Sequence, residues 1–186
     1  RISVDLWFKA TYKNTTAQQA FVSWGVQTGN LRYTLNFDGG KIRLDNGGGA
    51  ASSNQTFNDG LWHHLVALKP NNTNLGGVVF YIDGTTTADN GNGGSTFNLA
   101  ESTNFTIGGD RAGTRINFIG TIDDFRLYSK ELNATAISAM YASGAGEGYY
   151  TPTLPVLTVD KYANASPVPV SVSFKRGGST LQVAAS

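Results

Sequence analysis

The chain has 186 residues, with 14 Lys and Arg against 13 Asp and Glu and a net charge of +1. That balance argues against nucleic acid or an anionic membrane surface as partner, since both call for clustered Lys and Arg. The absence of Cys excludes disulfide scaffolds, thiol catalysis and structural zinc. The longest apolar run, Val78–Ile82, falls far short of the roughly 20 residues that span a bilayer.

Hydrophobic period two runs through most of the chain. Ile2, Val4, Leu6 and Phe8 alternate with Ser3, Asp5, Trp7 and Lys9, which predicts a strand with one apolar face. Residues 19–26 repeat the pattern, with Ala20, Val22, Trp24 and Val26 on one side. Segments 31–37, 41–45, 61–68, 78–83, 104–107 and 117–128 read likewise. Between them stand Asp38-Gly39, Asp59-Gly60, Asp83-Gly84 and Gly108-Gly109, residues that tolerate the positive φ of tight turns. Many short strands with Gly-rich turns predict an all-β antiparallel sandwich. Trp7, Trp24 and Trp62 are expected in its core.

One helix is predicted, at 134–143. Asn133 is its expected N-cap, and Leu132 with Ile137 is spaced as a hydrophobic staple. Ile137, Met140 and Tyr141 share a face that should dock on the sandwich. Gly144 is expected to end the helix.

Residues 1–148 thus form the expected sandwich domain and 149–155, with Thr151-Pro152-Thr153-Leu154-Pro155, a linker. Residues 156–186 resume strand alternation at 156–160 and 168–174. They are too few to bury a core alone and are expected to begin a following β domain. The chain opens inside a strand pattern with neither Met nor a leader, so an excerpt of a longer protein is expected.

Two segments carry a family resemblance. The first is Asp59-Gly60-Leu61-Trp62-His63-His64-Leu65-Val66, followed by Val79-Phe80-Tyr81-Ile82-Asp83-Gly84. The second is Phe118-Ile119-Gly120-Thr121-Ile122-Asp123-Asp124-Phe125-Arg126-Leu127-Tyr128, then Leu132 and the helix. Together they resemble the laminin-G-like branch of the concanavalin A-like lectin/glucanase superfamily, over residues 2–144. The resemblance implies a two-sheet antiparallel jelly-roll with one short C-terminal helix. That fold hosts lectins, glycan-binding modules, glycosidases and adhesion modules, so it does not fix function. The family's usual strand ahead of the one at 3–10 is missing here. An alternative for 168–174 is that it replaces that strand at a sheet edge.

Glucanases of the superfamily use a Glu-x-Asp-x-x-Glu pattern, because retaining glycoside hydrolysis needs two carboxylates about 5 Å apart. The only glutamates, Glu101, Glu131 and Glu147, stand alone, so a non-catalytic protein is expected. His63 and His64 are adjacent and should face opposite ways on a strand. One is expected to bond a backbone group and the other to be partly exposed. No Gly-x-Ser-x-Gly elbow occurs.

The apolar phase switches between Phe118, Gly120, Ile122 and Phe125, Leu127. A bulge at Asp123 and Asp124 would produce that switch and could aim a carboxylate and nearby carbonyls at Ca²⁺. The resemblance likewise implies structural Ca²⁺ near this position. The competing expectation is that Asp124 pairs with Arg126.

Sugars are gripped by planar polar side chains and aromatic faces. Arg32, Tyr33, Asn36 and Arg43 are expected to line one sheet face. Asn46, Asp110, Arg111 and Arg115 sit in polar loops beside it. Six Asn-x-Ser/Thr sequons, at Asn14, Asn54, Asn71, Asn104, Asn133 and Asn164, are candidate N-glycosylation positions in a secreted eukaryotic setting.

The expected function is an extracellular recognition module binding glycan on a cell surface, matrix or polysaccharide. The alternative is a structural module of an adhesin, surface filament or virion appendage, touching neighbouring copies or domains.

Overall fold

The computed structural model describes residues 1–11, 17–26, 30–70, 74–87, 95–97, 105–110 and 115–142, and the backbone of 171–176 and 179–184. Two compact units are formed, Arg1–Tyr150 and Thr151–Ser186. In the second, β12 (Ser171–Arg176) pairs antiparallel with β13 (Ser179–Ala184). The segments 156–160 and 168–170 lie outside the described residues.

The first unit holds β1 (Ile2–Ala10), β2 (Gln19–Gly25), β3 (Arg32–Asp38), β4 (Lys41–Asp45), β5 (Ala50–Ser52) and β6 (Trp62–Lys69). They are followed by β7 (Val79–Ile82), β8 (Thr85–Thr87), β9 (Phe105–Ile107), β10 (Ile116–Asn117), β11 (Gly120–Tyr128) and α1 (Ala134–Tyr141). One sheet runs β11-β1-β6-β7-β8, and the other β10-β2-β3-β4-β5 with β9 also on β2. The pairings are antiparallel except one: β10 runs parallel to β2, with Ile116 opposite Gln19.

Alternation fills the space between the sheets. β1 contributes Val4, Leu6 and Phe8, β3 contributes Tyr33, Leu35 and Phe37, and β4 contributes Ile42 and Leu44. Each such side chain is worth about 1.5–3 kcal/mol when fully buried. Phe8, Phe21, Phe37 and Phe118 pack with ring centroids 4.6–6.4 Å apart, within the range where aromatic pairs attract.

Two departures from simple alternation have local causes. The register between β2 and β3 shifts between Ala20 and Val22, so the consecutive Phe21 and Val22 both enter the core. At the far end Gly25 takes φ +87°, and a Cβ there would lie 2.0 Å from the Leu31 carbonyl oxygen. The strand therefore stops, and Val26 is exposed rather than in line with Val22 and Trp24.

The expected bulge lies at the aspartate pair. Asp5 faces Arg126 and Trp7 faces Asp123, so Leu6 stands against two residues of β11. Asp124 takes φ +51° there.

The helix packs Ile137, with Leu132 before it, onto Val66 and Leu68, and Met140 borders the same cluster. Asn133 Oδ1 accepts from the Ala136 N–H at 2.8 Å, as an N-cap should. The helix ends at Tyr141 with Ala142 in the left-handed conformation, and Gly144 lies outside the described residues.

Trp24 is core, stacked on Tyr33 at 4.0 Å. Trp7 is half-buried, 6.0 Å from the Tyr141 ring at the helix end. Trp62 corrects the expectation: it opens β6 pointing outward and is 43% exposed. The alternation requires this: β6 faces the core through Leu65 and Ala67, so Trp62, paired with Lys9, turns to the opposite face.

Candidate functional site

β3 carries its apolar residues inward, so Arg32, Thr34 and Asn36 project from the opposite face of the sheet. On β4, Arg43 lies opposite Asn36 and Asp45 opposite Thr34. This cross-strand register gathers five polar side chains on one face. Arg115 joins them from just before β10.

Asp45 is the hub. Its Oδ1 accepts from Arg32 Nη2 and from the Gly47 N–H. Its Oδ2 accepts from Arg43 Nη2 at 3.0 Å and Arg115 Nη2 at 2.8 Å. Burial pushes the Asp45 carboxyl up. The bonds from Arg32, Arg43 and Gly47, with the charge of Arg115, outweigh burial and hold it below the usual carboxylate range. Burial, with repulsion from Arg32 and Arg43, lowers the Arg115 pKa against the pull of Asp45 and Asp110.

Two more carboxylates flank the hub at longer range. Asp38 lies 3.6 Å from Arg43 Nη1 and Asp110 lies 3.7 Å from Arg115 Nη1. The Arg32 and Asp45 side chains are almost closed to solvent, while Arg43 and Asp38 are 27% and 32% exposed. The face is thus reached by water at its Arg43–Asp38 end.

Several buried atoms here have no hydrogen-bond partner among the described residues: Arg32 Nε and Nη1, Arg43 Nε, Thr34 Oγ1 and Asn36 Oδ1. Each buried unsatisfied group costs about 1–3 kcal/mol. They are concentrated on two adjacent strands.

The site residues expected from sequence divide clearly. Arg32, Asn36, Arg43 and Arg115 share this face, and Asp110 adjoins it through Arg115. Asn46 braces the neighbouring loop: its Nδ2 donates to Ser95 Oγ and the Thr96 carbonyl, and its Oδ1 accepts from the Gly48 N–H. Tyr33 is a correction. As the immediate neighbour of Arg32 it turns to the other face, fully buried against Trp24, and burial raises its phenol pKa. Arg111 lies outside the described residues. Asp45 and Thr34 complete the cluster without having been expected there. The alternation Lys41, Arg43, Asp45 against Ile42 and Leu44 was the available signal for Asp45.

The histidines are not bonded as expected. His63 Nδ1 lies 2.7 Å from Asp83 and its Nε2 3.1 Å from Asp59. His64 Nε2 lies 2.7 Å from Asp5, and both rings are buried. Both therefore meet carboxylates rather than a backbone group. They do face opposite ways, His63 toward Phe8 and Phe57 and His64 between Trp7 and Tyr141. The Asp83 bond, partly offset by burial and aided by Asp59, raises the His63 pKa.

Asp124 gives both carboxylate oxygens to Arg126 Nη2, at 3.0 and 2.8 Å, and Asp123 Oδ1 accepts from the Asp124 N–H. A guanidinium so placed competes with a cation, and no group of three or more His, Asp or Glu side chains suited to a metal occurs among the described residues. The pairing of Asp124 with Arg126 is the competing expectation from the sequence. Of the sequons, Asn54 and Asn133 are exposed, while Asn14, Asn71, Asn104 and Asn164 lie outside the described residues.

A laminin G family model, described as the concanavalin A-like lectin/glucanases superfamily, matches residues 1–138. No curated protein matches the sequence. Among solved structures, the CBM40 of the Ruminococcus gnavus IT-sialidase superposes with TM-score 0.58 at 16% identity, covering 74% of this chain and 80% of that one. Domain 4 of AbnA, a GH43 extracellular arabinanase from Geobacillus stearothermophilus, gives 0.55 at 21% identity, covering 75% and 65%. The Trypanosoma rangeli sialidase gives 0.59 at 20% identity, covering 77% of this chain but 23% of that one. The first two appear in complexes with sialyllactose and arabinotriose. At these identities the likeness shows the fold.

Proposed function

Since the chain belongs to the concanavalin A-like lectin/glucanase superfamily, we propose that it is a non-catalytic, extracellular carbohydrate-binding module and that the polar face of β3 and β4 is its binding surface. The observation that carries this is the set of unpartnered buried polar atoms on Arg32, Thr34, Asn36 and Arg43. Sugar hydroxyls both donate and accept, so a saccharide can serve such a mixed set. The ligands of the CBM40 and arabinanase domain structures support a glycan partner. Attachment to a cell surface, matrix or polysaccharide is the role this implies.

The test is a glycan array followed by calorimetry on the full chain, with and without Ca²⁺. Binding that is lost in Asn36→Ala while the protein stays folded is expected. Absence of binding to every glycan would count heavily against the proposal. Affinity that requires Ca²⁺ would point to the aspartate pair of β11 as the group that holds it.

One observation favours a second reading, contact with other protein copies or domains in an adhesin or filament. Phe105, Ile107, Ile116 and Ile119, on and beside the short strands β9 and β10, are each at least 40% exposed. Concentration-dependent self-association in sedimentation, abolished by Ile107→Lys, would favour it.

A further inference from the structure

We infer that the β3–β4 face selects saccharides bearing an acidic group, a carboxylate or a sulfate ester, and that Arg43 is the residue that reads it. The inference rests on the carbohydrate-binding reading and narrows its ligand class.

The argument starts from an imbalance of donors. Three guanidiniums lie within hydrogen-bond distance of one carboxylate, Asp45. Asp38 and Asp110 stand at 3.6 and 3.7 Å, beyond that distance from the nearest guanidinium nitrogens. The Asp45 oxygens already accept four bonds, counting the Gly47 N–H. That fills their lone-pair capacity.

Donors are then left over. Among the described residues, Arg32 Nε and Nη1 and Arg43 Nε have no acceptor, whereas the leftover pure acceptor on this face is Asn36 Oδ1. Thr34 Oγ1 serves either way. A guest that balances this face must bring more acceptors than donors. Carboxylate and sulfate oxygens only accept, and guanidinium bonds to them are about twice as strong as neutral ones. The oxygens of a neutral saccharide can also accept from these donors, but as uncharged acceptors they bond a guanidinium more weakly than a carboxylate or sulfate does.

Access picks out Arg43. The Arg32 and Arg115 side chains are 7% and 6% exposed, whereas Arg43 is 27% exposed. A ligand entering from solvent meets the Arg43–Asp38 end, where Arg43 is the open guanidinium and Lys41 lies two residues before it on the same face of β4.

The experiment compares matched ligands by calorimetry on the full chain. A uronic-acid oligosaccharide is paired with its carboxyl-reduced counterpart, and a sulfated oligosaccharide with its desulfated one. The acidic member of at least one pair is expected to bind about tenfold or more tightly, a difference of about 1.4 kcal/mol. The preference should shrink with added salt, since the contacted end is open to solvent. The pair that shows it separates carboxylate from sulfate.

Arg43→Gln should erase the preference, and Arg43→Lys should restore only part of it. Exposed Lys130→Gln removes the same charge outside the face and should leave the preference intact. If neutral and acidic members bind alike, the inference falls and the carbohydrate reading stands. If the preference survives in folded Arg43→Gln, its assignment to this face falls. If no saccharide binds at all, the carbohydrate reading itself falls.

Discussion

Each sheet carries buried charge on the face turned away from the core, and the two faces resolve it differently. On the β1–β6–β11 face, Asp5 takes His64 at 2.7 Å and lies 3.7 Å from Arg126, which is also held by Asp124. Trp7 and Tyr141 flank that knot, and α1 covers the apolar part of the face. On the β3–β4 face, three arginines crowd Asp45, and donors remain without acceptors. Buried charge alone therefore does not mark a functional site. The first face is closed by the chain's own aromatic residues and helix. Among the described residues, the first leaves His64 Nδ1 unpartnered, whereas the second leaves atoms on Arg32, Thr34, Asn36 and Arg43 so, and its Arg43–Asp38 end is open.

The sharpest way to break this comparison is to remove each face's organising group. Asp45→Asn leaves three guanidiniums with no common anion. Breaking a buried ion pair from one side costs about 3–5 kcal/mol, and a loss of that size is expected in urea denaturation. If Asp45→Asn instead costs nothing, the arginines are held by the fold, and the hub is incidental. Ile137→Ala tests the other face. The helix would lose its one fully buried anchor, for an expected cost of about 2–3 kcal/mol. Glycan affinity should be unchanged in that variant, because the helix packs on the opposite sheet from β3 and β4.

The two faces were unequally legible in the sequence. The strands of five or more residues show period two long enough to recognise. β5, β8 and β10 have three, three and two residues, too few to display any period, and they fall inside stretches read as polar loops or the start of a longer strand. The helix was legible because Asn133 and the Leu132–Ile137 spacing mark its start. Arg32, Asn36, Arg43 and Arg115 could be nominated from polarity. Their convergence on Asp45 could not, since it depends on the β3–β4 register and on a contact 70 residues apart in the chain. Tyr33 shows the limit most simply. Next to Arg32 in sequence, it belongs to the opposite side of the sheet. The bonding of His63 and His64 was equally hidden, because Asp83 reaches His63, and Asp5 reaches His64, only after β1, β6 and β7 are paired.

The smallest expected effect concerns pH, and it separates the sheets by sign. His63 has a folded pKa raised above its ordinary 6.5 by Asp83 and Asp59. Its contribution to stability is fully present below 6.5 and is lost as pH rises through the folded value. Asp45 has a folded pKa lowered below its ordinary 3.8. Its contribution is present above 3.8 and is lost as pH falls through the folded value. Melting temperatures of the wild type and His63→Gln should therefore converge as pH rises from about 5 to 9. The wild type and Asp45→Asn should instead converge as pH falls below about 4. Parallel curves for His63→Gln across the upper window would mean that the Asp59–His63–Asp83 bonds do not discriminate between charged and neutral imidazole. The β6 turn would then owe its shape to the Asp83 carboxylate accepting from the His64 N–H at 2.9 Å, a bond that the histidine's proton does not touch.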